Sequence, residues 1–166
     1  MGIEIYGGVR AGLLPTPAKT HYTYNLRDLS KLVSGLLMVD ANSLVYLPQE
    51  KKTDPLVARG VKEARQEVVK LFLHENLRVF SDRLIDSTDE EWFENMLLKT
   101  VKEKLPNDIP DNVTCKDLIF GDFVTGKYQN LPNQQEVVSK IVEALGYYNE
   151  SHANEPMNLV LFKSAI

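Results

Sequence analysis

The sequence predicts a mostly α-helical protein, a helical bundle with a short loop or strand extension. Apolar residues recur at three- and four-residue spacing in several long segments, which is the pattern of a helix with one buried face. The 8 prolines and 9 glycines fall largely between those segments, where they mark boundaries. A chain of 166 residues is also long enough to bury a hydrophobic core.

The first predicted helix runs from Asn25 to about Val39. Asn25 is a favourable N-cap, and the Asp28 side chain can accept a hydrogen bond from the Asn25 backbone N–H, as in a capping box. Residues 12–20 contain two prolines and are predicted to be extended. The apolar spacing predicts one buried face made of Leu29, Leu32, Val33, Leu36 and Leu37.

The second predicted helix begins at Pro55, a favoured first-turn residue, with Thr53 or Asp54 as its cap. A surface loop over 40–54 is predicted to precede it. Two apolar stripes predict that the C-terminal half of the helix is buried on two sides. One stripe consists of Val57, Val61, Ala64, Val68 and Leu71, and the other of Val69, Leu73, Leu77, Phe80 and Leu84.

The third predicted helix begins in DSTDEEWF and ends near Pro106. Ser87 and Glu90 match a capping box, and the acids of the first turn suit the positive end of a helix. Its predicted core face consists of Trp92, Phe93, Met96, Leu97 and Val101.

A fourth helix is predicted from Gln134 to about Tyr148, with Asn133 and Glu136 as its capping pair. Residues 117–123, DLIFGDF, lie in the linking region before it. Their apolar side chains fit either a short strand or a loop pinned to the bundle, and the sequence leaves both open.

Several common catalytic motifs are missing from the chain. A zinc protease motif needs a second histidine four residues after His74, and Arg78 occupies that position, so no metal site is expected. Glu75 and Arg78 are instead predicted to form a structural ion pair. The sequence contains neither G-x-S-x-G nor the phosphate loop G-x-x-x-x-G-K-[ST]. Cys115 has no histidine near it in the sequence and is predicted to be a buried or idle thiol.

The composition excludes other classes. A net charge of −4 without a basic stripe argues against a nucleic-acid-binding protein. No apolar run approaches the roughly 20 residues of a membrane span, so no membrane partner is expected. A single cysteine cannot form an internal disulfide, which suits a reducing compartment such as the cytoplasm.

Arg27 is the candidate site residue. The cap at Asn25 places it in the first turn of a helix, where the helix dipole favours anions. A cation at this position is explained if a phosphate binds nearby. The alternative is that the Arg27 side chain extends into water or pairs with Asp28.

Three segments of the chain carry a resemblance to a known family. LLPTPAKTHYTYNLRDLSKLVSGLLM at 13–38, LFLHENLRVFSDRLIDSTDEEWF at 71–93 and YYNESHANEPMNLVLFKSAI at 147–166 resemble, in order, axonemal dynein heavy chains where the third AAA+ module joins the fourth. The resemblance implies a strap from the preceding large subdomain over 1–23, containing Pro15 and Pro17. It implies the helical lid of the third module over 24–105, and a linker with the start of the fourth module over 106–166.

The same resemblance implies a function. The parent chain would be the ATP-driven microtubule motor of cilia and flagella, in the axonemal cytoskeleton. Arg27, by its place in N-L-R-D, matches the second-sensor arginine that reaches the terminal phosphate of ATP. ATP or ADP with Mg²⁺ would bind in the parent chain, and no nucleotide is expected to bind tightly to this piece alone. Expected partners are neighbouring AAA+ subdomains of the same heavy chain, microtubules and other dynein subunits.

A second hypothesis is a free-standing helical protein-interaction module without enzymatic activity, in which Arg27 is an ordinary surface residue. It accounts equally well for the missing catalytic motifs. It accounts less well for the cation in the first helical turn and for the apolar run NLVLFKSAI at the chain's end, which suggests a cut within a longer chain.

Overall fold

The computed structural model describes residues 1–40, 55–110, 113–115, 118–131 and 133–158, which fall into two compact units, Met1–Leu118 and Ile119–Ile166. The larger unit contains the helices α1 (Gly2–Gly12), α2 (Leu26–Leu36), α3 (Pro55–Asn76) and α4 (Ser87–Lys104). Helix α3 continues into a π-helical turn, Leu77–Ser81. The smaller unit contains β1 (Phe120–Gly121), β2 (Gln129–Asn130) and α5 (Gln134–Ser151). The predicted mostly α-helical fold is therefore confirmed.

The core of the larger unit is built from buried side chains of all four helices named above, and the C-terminal half of α3 is buried on two sides as predicted, with Leu71 2% and Leu73 0% exposed. Helix α1 contacts α2 and α4, while α2 also contacts α3 and the π-helical turn. The buried side chains of this core include Ile5, Val9, Leu32, Leu73, Phe80, Phe93, Leu97 and Val101. The helices thus share a single apolar interior rather than packing in separate pairs.

Helix α1 is a helix that the sequence does not predict. Four glycines within it weaken both its helix propensity and its apolar pattern. Its helical state depends on packing, because Ile5 and Val9 are buried in the shared core. Two of its glycines also leave room for neighbouring side chains: Met96 lies against Gly8, and Trp92 lies against Gly12.

The starts of the other helices follow the sequence closely, and their buried faces do so only in part. Helix α3 begins at Pro55 as predicted, while its predicted caps and the loop before it lie outside the described residues. On α2 the predicted face is only partly buried, because Val33 is 49% exposed and Leu37 is 78% exposed. On α4 the predicted core residue Trp92 is 40% exposed, since its ring covers Gly12 at the surface.

The smaller unit contains a two-stranded antiparallel sheet in which Phe120 pairs with Asn130. Of the described residues 118–123, only Phe120 and Gly121 form a strand. The Asn133 side chain caps α5 as predicted, accepting hydrogen bonds from the backbone N–H groups of Gln135 and Glu136. The apolar core of the smaller unit consists of Ile119, Leu131 and Val137. The apolar run NLVLFKSAI at the end of the given sequence lies, apart from Asn158, within 159–166, outside the described residues.

Candidate functional site

The start of α2 is held by the predicted capping box. The Asn25 side chain accepts a hydrogen bond of 2.8 Å from the Arg27 backbone N–H. In return, Asp28 Oδ2 accepts a bond of 2.9 Å from the Asn25 backbone N–H. These two bonds satisfy donors that a helix leaves open at its N-terminus and define where the first turn begins.

Arg27 lies in this first turn with an exposed side chain. Within the described part of the chain, its guanidinium has no hydrogen bond or ion pair to another residue. The alternative pairing with Asp28 is not formed, because that carboxylate binds Arg83 and lies 3.9 Å from Lys31. The structure therefore presents a cation to solvent at the positive end of a helix, where an anion would be favoured.

A second arginine, Arg83, binds groups on both sides of the same turn. Arg83, in the segment between the π-helical turn and α4, donates to Asp28 Oδ1 at 2.9 Å and to the Thr23 carbonyl at 3.0 Å. It also donates to the Val79 carbonyl at 3.0 Å, and its guanidinium lies 4.9 Å from the centre of the Tyr24 ring. Arg83 thereby joins both sides of the α2 cap to the π-helical turn. Burial of Tyr24 beside it raises the pKa of that phenol to about 12.

A second polar cluster fixes the chain just before this cap. Lys19 forms ion pairs with Asp86 and Asp89 at the start of α4. The Tyr22 hydroxyl donates to Asp89 Oδ2 at 2.9 Å and accepts from the Ile85 backbone N–H at 3.1 Å. The two polar clusters therefore attach residues 19–28 to the loop between the π-helical turn and α4, at Arg83, Ile85 and Asp86.

This cluster also corrects the predicted cap of α4. The helix begins at Ser87 rather than after it, and Asp86 occupies the N-cap position without a side-chain cap bond. The physical reason is that the Asp86 carboxylate binds Lys19 instead of the helix N–H groups. The predicted capping box of Ser87 and Glu90 is therefore wrong.

Comparison with known proteins identifies the family of this chain. A family model described as the dynein heavy chain ATPase lid domain matches residues 1–90, which is more than half of the chain and contains both polar clusters. The chain belongs to the dynein heavy chains. The matched part of the lid extends from α1 through the first turn of α4.

Curated relatives agree with this family. The chain is 32% identical to mouse dynein axonemal heavy chain 1 and 33% identical to human dynein axonemal heavy chain 6, in each case over 99% of its length. It is also 33% identical to mouse dynein axonemal heavy chain 2 over 99% of its length. The chain spans only 3% to 4% of the length of these relatives, so most of each heavy chain lies outside it.

The remaining candidate residues of the lid have structural environments. His74 Nδ1 lies 2.9 Å from the Leu118 carbonyl, and burial lowers the pKa of its imidazole. Cys115 is buried, and that burial together with the charge of Glu94 raises the pKa of its thiol to about 11, which disfavours the nucleophilic thiolate. Among the described residues, no group of three histidine, cysteine or acidic side chains is arranged to hold a metal ion. No described helix has the length and apolar character needed to cross a membrane.

The predicted ion pair of α3 is confirmed and lies at a helix crossing. Arg78 Nη2 is 2.7 Å from Glu75 Oε2, and Glu75 is fully buried whereas the Arg78 side chain is 43% exposed. The Glu75 carboxylate lies against Gly35 of α2, where a Cβ atom would overlap it. The absence of a side chain at Gly35 therefore allows α2 to approach α3 closely at Glu75.

The sequence points to Arg27 and Asp28 but not to Arg83, Lys19 or Tyr22. The interactions of Arg83 with Asp28 and of Tyr22 with Asp89 join residues 55 and 67 positions apart. No local spacing rule predicts such pairs. The signal that could have indicated a partner such as Arg83 is the position of Asp28. Its capping carboxylate lies on the buried side of the helix, away from solvent, and therefore needs a second hydrogen-bond donor.

The carboxylates of both polar clusters predict acid sensitivity of the lid. Burial alone would raise the pKa of Asp28, but the bonds from the Asn25 N–H and Arg83 outweigh it and lower that pKa. The hydrogen bond from Lys19 lowers the pKa of Asp89. A carboxyl with a lowered pKa in the folded state stabilises the fold above its unfolded pKa, near 4, and this stabilisation is lost as the pH falls further.

We therefore expect the free energy of unfolding to fall as the pH drops from about 5 to about 3, and to fall less steeply in an Asp28→Asn/Asp89→Asn variant. Urea unfolding followed by circular dichroism at several pH values measures both slopes. Comparison with the variant is needed because Asp82, whose pKa is raised by burial, acts in the opposite direction. Parallel curves for the two proteins would contradict the assignment.

Proposed function

We propose that this lid is the nucleotide-responsive helical lid of a regulatory AAA+ module, the third, in an axonemal dynein heavy chain, and that Arg27 is its second-sensor arginine. The observation that supports this role is an exposed cation in the first turn of α2, without a partner among the described residues. Helix electrostatics disfavour such a cation unless an anion lies close to it. The terminal phosphate of a bound nucleotide is an anion of the required kind.

The residues of this chain fit one part of an ATP site. Arg27 could contact a phosphate oxygen from the lid side, aided by the positive end of α2. The glycine-rich phosphate loop and the acid that holds Mg²⁺ would come from another part of the heavy chain, because the sequence contains no phosphate-loop motif. Bound ATP would supply the negative charge that Arg27 meets.

This arrangement links lid position to nucleotide state. When a phosphate lies near Arg27, the unfavourable interaction between its charge and the helix dipole is offset. A lid orientation that allows this contact is then favoured over one that does not, by the difference in binding free energy. Arg27 would thus gate communication between modules rather than carry out the main hydrolysis.

The wider setting follows from the relatives, whose names are those of axonemal dynein heavy chains. We propose that the parent chain acts with microtubules as an ATP-driven motor in the cytoskeleton of cilia or flagella. The direct neighbours of this lid would be AAA+ subdomains of the same heavy chain, with the next module following over 106–166. Residues 1–23 would form the strap from the preceding subdomain, although the lid model matches them too and α1 packs into the lid core. Other dynein subunits would associate with the parent chain elsewhere.

The proposed role is tested by Arg27→Ala in the full-length heavy chain. A charge-assisted hydrogen bond to phosphate contributes about 1.5–3 kcal/mol, so we expect ATP affinity at the module to fall roughly 10- to 100-fold. The measurement is a titration with fluorescently labelled ATP. Circular dichroism of the isolated chain should show an unchanged fold, because the Arg27 side chain is exposed.

Lys31→Ala is the matched control, since it removes the same charge one turn further along α2 from a side chain that is 56% exposed. A specific phosphate contact predicts a much larger effect of Arg27→Ala than of Lys31→Ala. Equal and small effects would favour the second hypothesis, a helical interaction module in which Arg27 is an ordinary surface residue. Unfolding of the Arg27→Ala chain would contradict both hypotheses.

A further inference from the structure

The first turn of α2 is positioned by a residue that is distant in sequence. The Arg83 guanidinium holds the Thr23 carbonyl on one side of the Asn25 cap and the Asp28 carboxylate on the other. These two groups flank Arg27 along the chain. Any rotation of the first turn would break at least one of the bonds, so Arg83 restricts the orientation of the backbone that carries Arg27.

The contacts are well suited to a positioning role. The Arg83 side chain is 25% exposed and the Asp28 side chain 6% exposed, so solvent competes weakly for their bond. The guanidinium also lies 4.9 Å from the centre of the Tyr24 ring, which confines its plane. Planar guanidinium groups make several directed bonds at once, which a lysine ammonium on a flexible stem reproduces poorly.

The π-helical turn brings Arg83 to this position. A π-helical turn contains an extra residue, and one residue corresponds to about 100° of rotation around an α-helix. The chain after Ser81 is therefore rotated relative to an uninterrupted α3. Arg83 also donates to the Val79 carbonyl inside the turn, which fixes the guanidinium to the turn itself. The first turn of α2 is thus coupled through Arg83 to the end of α3.

We infer that Arg83 is a positioning residue for Arg27, holding the first turn of α2 in the orientation from which Arg27 reaches the nucleotide. This inference rests on the proposed function of Arg27. It predicts that Arg83 affects nucleotide affinity only through Arg27, in addition to any effect on the stability of the lid. A purely structural role predicts an effect on stability alone.

The test is a double-mutant cycle in the full-length heavy chain, with ATP affinity as the readout. Arg83→Lys retains the positive charge but loses the directed bonds. We expect it to weaken ATP binding by several-fold to about tenfold when Arg27 is present, because small misplacements of a contacting group are costly. In the Arg27→Ala background, the same substitution should leave ATP affinity unchanged.

Val101→Ala is the control for general destabilisation. Val101 is fully buried near the end of α4, roughly 20 Å along the helix from Ser87 at a rise of about 1.5 Å per residue. It should lower the stability of the lid without altering ATP affinity in either background. If Arg83→Lys fails to fold, as judged by circular dichroism, Asp28→Asn enters the same cycle, since it weakens the bond from the opposite side.

The outcomes separate the two proposals. An effect of Arg83→Lys that disappears in the Arg27→Ala background supports the positioning role. An equal effect in both backgrounds, or no effect in either, overturns the positioning role while the role of Arg27 stands. If Arg27→Ala alone leaves ATP affinity unchanged, the proposed function fails, and the positioning role fails with it.

Discussion

Gly35→Ala is expected to lower the free energy of unfolding of the lid by about 2–4 kcal/mol. A Cβ at this position would overlap the Glu75 carboxylate, which is fully buried and bound to Arg78. The carboxylate has to move or the helices have to separate, and either change weakens the pairing of a buried charge. Urea unfolding of the chain, followed by circular dichroism, measures the loss.

Gly60→Ala is the matched control for this prediction. Gly60 also lies in a helix, α3, but an added Cβ there meets no atom within 4 Å. Alanine has a higher helix propensity than glycine, so we expect Gly60→Ala to stabilise the chain by up to about 1 kcal/mol. The two glycine-to-alanine substitutions should therefore change the free energy of unfolding in opposite directions.

The contact with Glu75 can be isolated further. A Gly35→Ala/Glu75→Ala variant should lose less stability than the sum of its two single variants, because the clash is absent when the Glu75 side chain is removed. Additive losses would show that the clash is not the cause. Stabilisation by Gly35→Ala would contradict the close approach of α2 and α3 altogether.

Phe80→Ala is expected to cost about 3–5 kcal/mol, the typical range for deleting a fully buried aromatic ring. Phe80 is 0% exposed and lies in the π-helical turn. Its ring centre is 6.0 Å from that of Tyr24 and 6.1 Å from that of Phe93, so it joins the segment before α2 to α4. Removing it would leave a cavity at the centre of the larger unit. Thermal and urea unfolding of the chain measure the effect.

Leu14→Ala serves as the control, because Leu14 is also a large apolar residue but is 61% exposed. Its effect should remain within about 0.5 kcal/mol. Similar losses for the two variants would mean that Phe80 does not occupy a closely packed core. A large loss confined to Phe80→Ala would support the packing of the π-helical turn between α2 and α4.

The features that depend on neighbours within about four residues are predictable from the sequence. These include the caps at Asn25 and Asn133, the start of α3 at Pro55 and the ion pair between Glu75 and Arg78. Each follows from local spacing. A capping side chain reaches the backbone N–H groups at the start of its own helix, and side chains one turn apart contact each other, whatever the tertiary environment. The placement of Arg27 in a first helical turn belongs to this group.

The features that depend on distant partners follow from tertiary packing and are not predictable from local sequence. Helix α1 forms despite its glycines because the shared core buries Ile5 and Val9. The Asp86 carboxylate binds Lys19 and does not cap α4, and Val33 is 49% exposed although it lies on the predicted apolar face of α2. Tertiary packing also brings Arg83 to Asp28, which lies 55 residues away in the sequence. Packing brings such groups together, and a sequence records no distance between residues that lie far apart along the chain.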